Sequence, residues 1–220
     1  MLHQQFVTFL EELSRNNNKE WFDLNRKTYI KEVKEPFKKL VEQMIEYVSA
    51  DNPDIVLEAK NAIFRINRDI RFSKDKTPYK THLGAAIAQG GKKSVQPGFY
   101  VHLSYDKMQL GGGAYNLDKE ALKKVRSEIM YEEAAFLKAI NDKNFIAHYG
   151  TIKGAKNKIL PADFKEAAKE QPLLFNKQFY YMTDLSVKNI TAPNLLDLMI
   201  EYYEAGKKFN QFIAKAIGND

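Results

Sequence analysis

The chain has 220 residues, 44% of them hydrophobic and 28% charged, with no cysteine and a formal net charge of +6. The missing thiols exclude a disulfide framework, a thiolate metal site and a cysteine nucleophile, and a chain of this length buries roughly 70% of its unfolded surface without any staple. No apolar run approaches the ~20 residues of a membrane span, and Met1-Leu2-His3-Gln4-Gln5 has no basic stretch leading into an apolar one, so a soluble, cytoplasmic protein is expected.

The N-terminal part reads as helix. Phe6, Phe9, Leu10 and Leu13 recur on one face, Asn16-Asn17-Asn18 interrupts them, and Asn17 or Asn18 caps a second helix through Trp21-Phe22. Trp21, Phe22 and Tyr29 read as core. Pro36 predicts a new first turn, after which Phe37, Leu40, Val41, Met44, Ile45 and Val48 form another apolar stripe that ends at Asp51-Asn52-Pro53-Asp54. The period then changes. Phe99, Val101, Leu103 and Tyr105 alternate with Tyr100, His102 and Ser104, as in a half-buried strand; Asp106-Lys107 turns the chain back through Met108 and Leu110. Leu83 to Ala88 predicts a third strand. Phe64 to Phe72 fits either period, and a strand leading into a loop is the preferred reading. Asp118 caps a helix through Ile129, another follows around Phe136 to Ile140, and Gly150 to Pro172 reads mostly as loop. Phe179 to Thr183 predicts a strand, and Pro193 opens a final helix with a stripe of Leu195, Met199, Tyr202, Phe209 and Ile213. The resulting expectation is α+β: a mainly antiparallel central sheet flanked by N-terminal and C-terminal helices. A single domain over 1–220 is expected, helical over 1–50, sheet-rich over 60–115, with helices and a strand over 116–220.

Charge singles out one segment. Residues 60–93 hold nine basic and two acidic side chains, whereas residues 1–59 hold eight and eleven. Three of the six arginines fall between positions 65 and 71. Arginine offers a planar fork for carboxylate or phosphate, which lysine does not. If 64–72 is extended, Arg68 interrupts an apolar face and needs acceptors, because an unpaired buried guanidinium is costly. Asp69 or Asp75 can supply one, but two carboxylates cannot satisfy the six cations of 65–80.

The pattern Arg-x-x-Arg-Asp-x-Arg-Phe-x-x-x-Lys-x-x-Tyr, formed by Arg65, Arg68, Asp69, Arg71, Phe72, Lys76 and Tyr79, resembles the signature of domain-of-unknown-function family 2461, found mostly in bacteria. Trp21-Phe22, Tyr29, Gly111-Gly112-Gly113, Leu160-Pro161, Phe164 and Pro172 extend the resemblance along most of the chain. Asn157-Lys158-Ile159 and Asp163 depart from the family's pattern, so nothing functional is carried onto that stretch. The family has no established activity, and the resemblance implies a motif and a length but no reaction.

Three readings of the basic segment stand side by side. In the first, Arg65, Arg68 and Arg71 clamp a small phosphate- or carboxylate-bearing ligand, with Lys76 and Lys80 as point charges, Tyr79 as hydroxyl donor and Asp69 as orienter or base; these side chains then converge on one cleft, and the protein is an enzyme or a sensor. In the second, 60–93 contacts nucleic-acid phosphates, a reading less favoured because arginine forks exceed what backbone contact needs. In the third, the arginines form an architectural ion-pair network that ties a loop to the helices, each closed off by its own Asp or Glu. Two further candidates join the ligand site: Gly112, in a glycine run whose N–H groups can approach an anion or which marks a tight strand crossing, and His102, on the Tyr100 face of its strand. Gly90-Gly91-Lys92-Lys93-Ser94 fails the Walker pattern because Lys93 intervenes before the serine. Neither metalloprotease, hydrolase nor dinucleotide fingerprints occur, so no metal, cofactor or membrane partner is expected, and neither a catalytic residue nor an oligomeric state is readable.

Overall fold

A computed structural model of the chain describes residues 2–218. Helix α1 (Gln4–Arg15) buries Phe6, Phe9, Leu10 and Leu13, the side chains that return to one face every three or four residues. Asn18 then opens α2 (Lys19–Leu24), its side chain accepting the Trp21 N–H at 2.9 Å. From α3 (Arg26–Thr28) the chain stays helical through a π segment, Tyr29–Lys34, into α4 (Glu35–Asp51). Pro36 is therefore the second residue of α4 but begins no separate element. The proline has no N–H to give, and the change of hydrogen-bond register just before it lets the helical path continue through that gap.

After the one-turn α5 (Ala59–Ala62), four strands form the sheet: β1 (His82–Ala88), β2 (Gly98–Ser104), β3 (Lys107–Ala114) and β4 (Phe179–Ser186). Their order is β1-β2-β3-β4, every pair antiparallel, so the α+β architecture with flanking helices is present. Between β3 and β4 lie α6 (Lys119–Tyr131), α7 (Glu133–Ile140), α8 (Lys143–Tyr149), α9 (Ala162–Lys165) and α10 (Ala167–Glu170). Asp118 caps α6 by accepting the Ala121 N–H at 2.8 Å, and Asp142 caps α8 by accepting the Asn144 N–H at 3.0 Å. The final helix is α11 (Leu195–Ile217). No helix among the described residues is long and apolar enough to cross a membrane.

Alternation of side-chain direction sorts the strands. Leu83, Ala85 and Ile87, Phe99, Val101 and Leu103, Met108 and Leu110, and Phe179 and Tyr181 are all buried against helices. The opposite face carries Ala86, Tyr100, His102, Gln109, Tyr180 and Met182, each half-buried. Both sheet edges are covered by irregular chain, which blunts unpaired strand edges. At β1, Ile63 bridges Ala85 and the Phe64 N–H reaches Gly84 O at 2.9 Å. At β4, Lys153 bridges Tyr180.

Tyr181 fixes how α11 meets the sheet. Its ring is fully buried, and a Cβ on either Gly112 of β3 or Gly206 of α11 would overlap its hydroxyl. The glycine run of β3 thus includes a tight crossing, and the helix carries a mid-length glycine, at a propensity cost of about 1 kcal/mol, where the tyrosine passes.

Candidate functional site

The basic motif folds as a narrow loop that extends the cover of β1. Residues 64–68 run antiparallel to 78–84: Asn67 bridges Tyr79, the Arg68 N–H donates to Pro78 O at 2.8 Å and the Lys80 N–H to Ile66 O at 2.8 Å. Residues 69–77 form the tip. Arg68 turns into the loop and donates to Asp75 and to the Thr77 hydroxyl, with Ser73 Oγ 3.4 Å away. The Asp75 carboxylate also accepts the Thr77 N–H at 2.9 Å, and that bond together with Arg68 holds its pKa down at about 2. Arg71 grips Asp69 with two donors, Nε at 3.0 Å and Nη2 at 2.7 Å, which keeps the Asp69 carboxyl below its ordinary range. Lys76 Nζ donates to Ile70 O at 3.0 Å. Tyr79 is buried, its ring stacked on Phe22 and its backbone tied to Asn17.

The sheet's other face holds a cavity of about 480 Å³. Its floor is Ala86, Ala88, Gly98 and Gly113, positions where strands ordinarily present longer side chains to solvent. Phe64, Tyr100, Tyr115, Tyr180 and Met182 form walls, and the polar lining includes Lys92, Gln109 and Asn116. Phe64 meets Tyr100 edge-on, with centroids 6.3 Å apart. Among the described residues no carboxylate lines this space. Lys92 Nζ donates to Lys60 O at 2.8 Å and Ile63 O at 2.6 Å, leaving one of its three donors; burial and then Lys93 lower its pKa. Lys80 stands 5.4 Å above the Phe64 ring, its pKa lowered by burial and then by Arg65.

Next to the cavity, His82 of β1 and His102 of β2 stack with centroids 4.0 Å apart and an interplanar angle of 21°. The Tyr100 hydroxyl lies 3.4 Å from His102 Nδ1. Burial first, then His102 and Lys80 for His82 and Lys107 for His102, push both imidazoles to a pKa of about 4, so both are neutral at neutral pH. Among the described residues no three His, Asp or Glu side chains come together as a metal site.

The residues nominated from the sequence thus fall in two places. Arg68, Asp69, Arg71 and Lys76 serve the loop, Tyr79 joins the core below it, and Arg65 is exposed; none of these lines the cavity. Two of the three arginines have an aspartate each, the arrangement set against a shared cleft. Gly112 lines the cavity while making room for Tyr181, His102 lies beside it, and Lys80 reaches it through Phe64. Sequence reasoning missed Phe64, Ala86, Lys92, Tyr115, Tyr180 and Met182. The available signal was the run of glycine and alanine at solvent-facing strand positions, where nothing in strand physics asks for small side chains. Lys92 belongs to the Gly-Lys loop whose Walker pattern fails; the structure uses that loop as a cavity wall.

These features define an α+β protein with a helix-covered sheet face, an aromatic-walled cavity on the other, and a stapled basic loop at the sheet edge. The family described as conserved hypothetical protein (DUF2461) matches residues 5–212, and the chain belongs to it. Neither a curated protein nor a solved structure matches the chain.

Proposed function

We propose that this protein binds a small ligand joining a planar group to a phosphate or carboxylate, in the cavity on the uncovered face of its sheet. The observation that carries the reading is the lining itself: a floor without long side chains, aromatic walls and, among the described residues, Lys92 as the charged residue and no carboxylate. Aromatic faces over a flat floor favour a stacked ring, and amides such as Gln109 and Asn116 supply directional hydrogen bonds. The free donor of Lys92 and the nearby Lys80 favour a negative group, and burial sharpens their attraction for it. The motif arginines support this site indirectly. Their loop holds residues 66–68 against 78–80, the run into β1, next to Phe64, whose N–H donates to Gly84 O of β1 and whose ring meets Tyr100 edge-on.

The test is a panel of nucleoside monophosphates and sugar phosphates screened by thermal shift and titrated by calorimetry. A member that raises the melting temperature in the parent protein and does nothing in Ala86→Trp, which fills the floor, supports the reading. A panel without any effect, or equal binding by the filled variant, overturns it.

A further inference from the structure

A second surface on this chain has the makings of a binding site and owes nothing to the cavity. Phe72, at the tip of the 69–77 loop, is 95% exposed, the highest value among the large apolar side chains of the described residues. Slack chain does not account for that exposure. The tip is cross-braced by Arg68 to Asp75 and Thr77, by Lys76 to Ile70 O, by Arg71 to Asp69 and by the Ser73 N–H to Ile70 O at 3.3 Å. A polar residue at 72 would satisfy every one of these contacts equally well. The loop therefore displays an aromatic ring on a braced stalk, where water covers apolar surface that burial would remove.

The surroundings of the ring say what it meets. Arg65, Lys74 and Lys76 form no ion pair among the described residues, and Asp69 and Asp75 are already engaged by Arg71 and Arg68. The Arg71 guanidinium stands 5.8 Å from the Phe72 centroid. An exposed flat ring on a loop that also carries Arg65, Lys74 and Lys76 without ion pairs matches a chain that alternates flat rings with negative charges. We infer that the 65–76 loop binds single-stranded nucleic acid, with Phe72 stacking on an unpaired base and Arg65, Lys74 and Lys76 contacting the flanking phosphates. Duplex is the poorer fit, since its bases are already stacked and the tip offers neither helix nor strand for a groove. A membrane is the poorer fit too, because the one other apolar side chain of the tip, Ile70, is half-buried and the ring's chain neighbours are Arg71 and Ser73.

The experiment is fluorescence anisotropy of the full chain with labelled oligothymidylate and oligouridylate across a salt series. Binding at about 50 mM salt is expected, with a log–log slope near −2 for three phosphate contacts on a single strand. Phe72→Ala should weaken binding about tenfold or more at every salt concentration, leaving the slope and the melting temperature unchanged. Phe72→Trp should retain affinity, and Phe72→Leu, which keeps apolar bulk and loses the flat ring, should behave as Phe72→Ala. Lys74→Ala should instead reduce the slope by about 0.7. Absence of oligonucleotide binding at low salt, binding indifferent to all three Phe72 variants, or equal affinity for duplex would each overturn the inference. So would Phe72-dependent retention on phosphatidylserine vesicles without oligonucleotide binding, which would make the ring a membrane contact. Ala86→Trp, which blocks the cavity, should leave oligonucleotide affinity untouched, so this site and the cavity fail or survive separately.

Discussion

The ring of Tyr79 lies flat on that of Phe22, with centroids 4.0 Å apart and 16° between planes. The last residue of the basic motif thus anchors its loop to α2, within an aromatic group that also holds Phe9, Trp21 and Tyr29. Asn17 locks the same junction, donating to Tyr79 O at 2.9 Å and accepting the Tyr79 N–H at 3.1 Å. Tyr79→Ala should cost about 3–5 kcal/mol in urea unfolding, as large aromatic deletions from cores do, whereas Tyr79→Phe should cost less than about 1. A large loss for the phenylalanine variant would return the hydroxyl to a functional role.

Arg68 separates architecture from ligand binding. Its Nη1 reaches Asp75 and Thr77 while Nη2 faces Ser73 Oγ at 3.4 Å, and a lysine in its place keeps the charge but not the planar two-nitrogen reach. Arg68→Lys should lose about 1–2 kcal/mol of stability and leave the affinity of any cavity ligand unchanged. An intact fold with abolished ligand binding would make Arg68 a ligand residue.

The stacked histidines set a pH dependence whose sign is fixed. Their folded-state pKa of about 4 lies below the ordinary value of 6.5, so the unfolded chain takes up protons first as pH falls. Stability from keeping them neutral is complete above about pH 6.5 and declines as pH drops toward 4, by about 1–2 kcal/mol per imidazole once solvent screening is allowed for. The double variant His82→Gln, His102→Gln should flatten unfolding curves across that window. Asp75 acts lower: its pKa of about 2 means the carboxylate's contribution fades between about pH 4 and 2, and its NMR titration should show that value.

Gly206 offers an inverted helix-propensity test. Glycine to alanine inside an exposed helix gains up to about 1 kcal/mol, yet here the methyl would come within 2.5 Å of Tyr181 Cζ. Gly206→Ala should destabilise by about 1–3 kcal/mol. Combination with Tyr181→Leu should cost less than the two single changes added together; strict additivity would deny the contact.

Much of this fold can be read from periodicity. The stripes of α1, α4 and α11, the alternation of β2 and the capping residues Asn18 and Asp118 announce themselves because each depends on near neighbours in sequence. Arg68 is legible as a residue in need of an acceptor, and Asp75 is one of the two partners available to it. What escaped was everything set by register. Ala86, Tyr100 and Met182 share a cavity because β1, β2, β3 and β4 pair Ala86 with Tyr100, Tyr100 with Gly111, and Gly111 with Met182, and no local pattern specifies those alignments. The helices α9 and α10 escaped for a different reason. Each is a single turn, too short for a 3.6-residue period to show.

The last helix serves two masters. Leu195, Met199 and Tyr203 sink into the cluster shared with the N-terminal helices, while Phe209, Phe212, Ile213 and Ile217 sink into the cluster built around Phe136, Phe145 and Phe179. One rigid rod therefore acts as an axle through two compartments. Trimming its far end would strip only the second, so a ladder of C-terminal deletions should release the hinterland of α6 to α8 to proteases while the N-terminal compartment is still clothed.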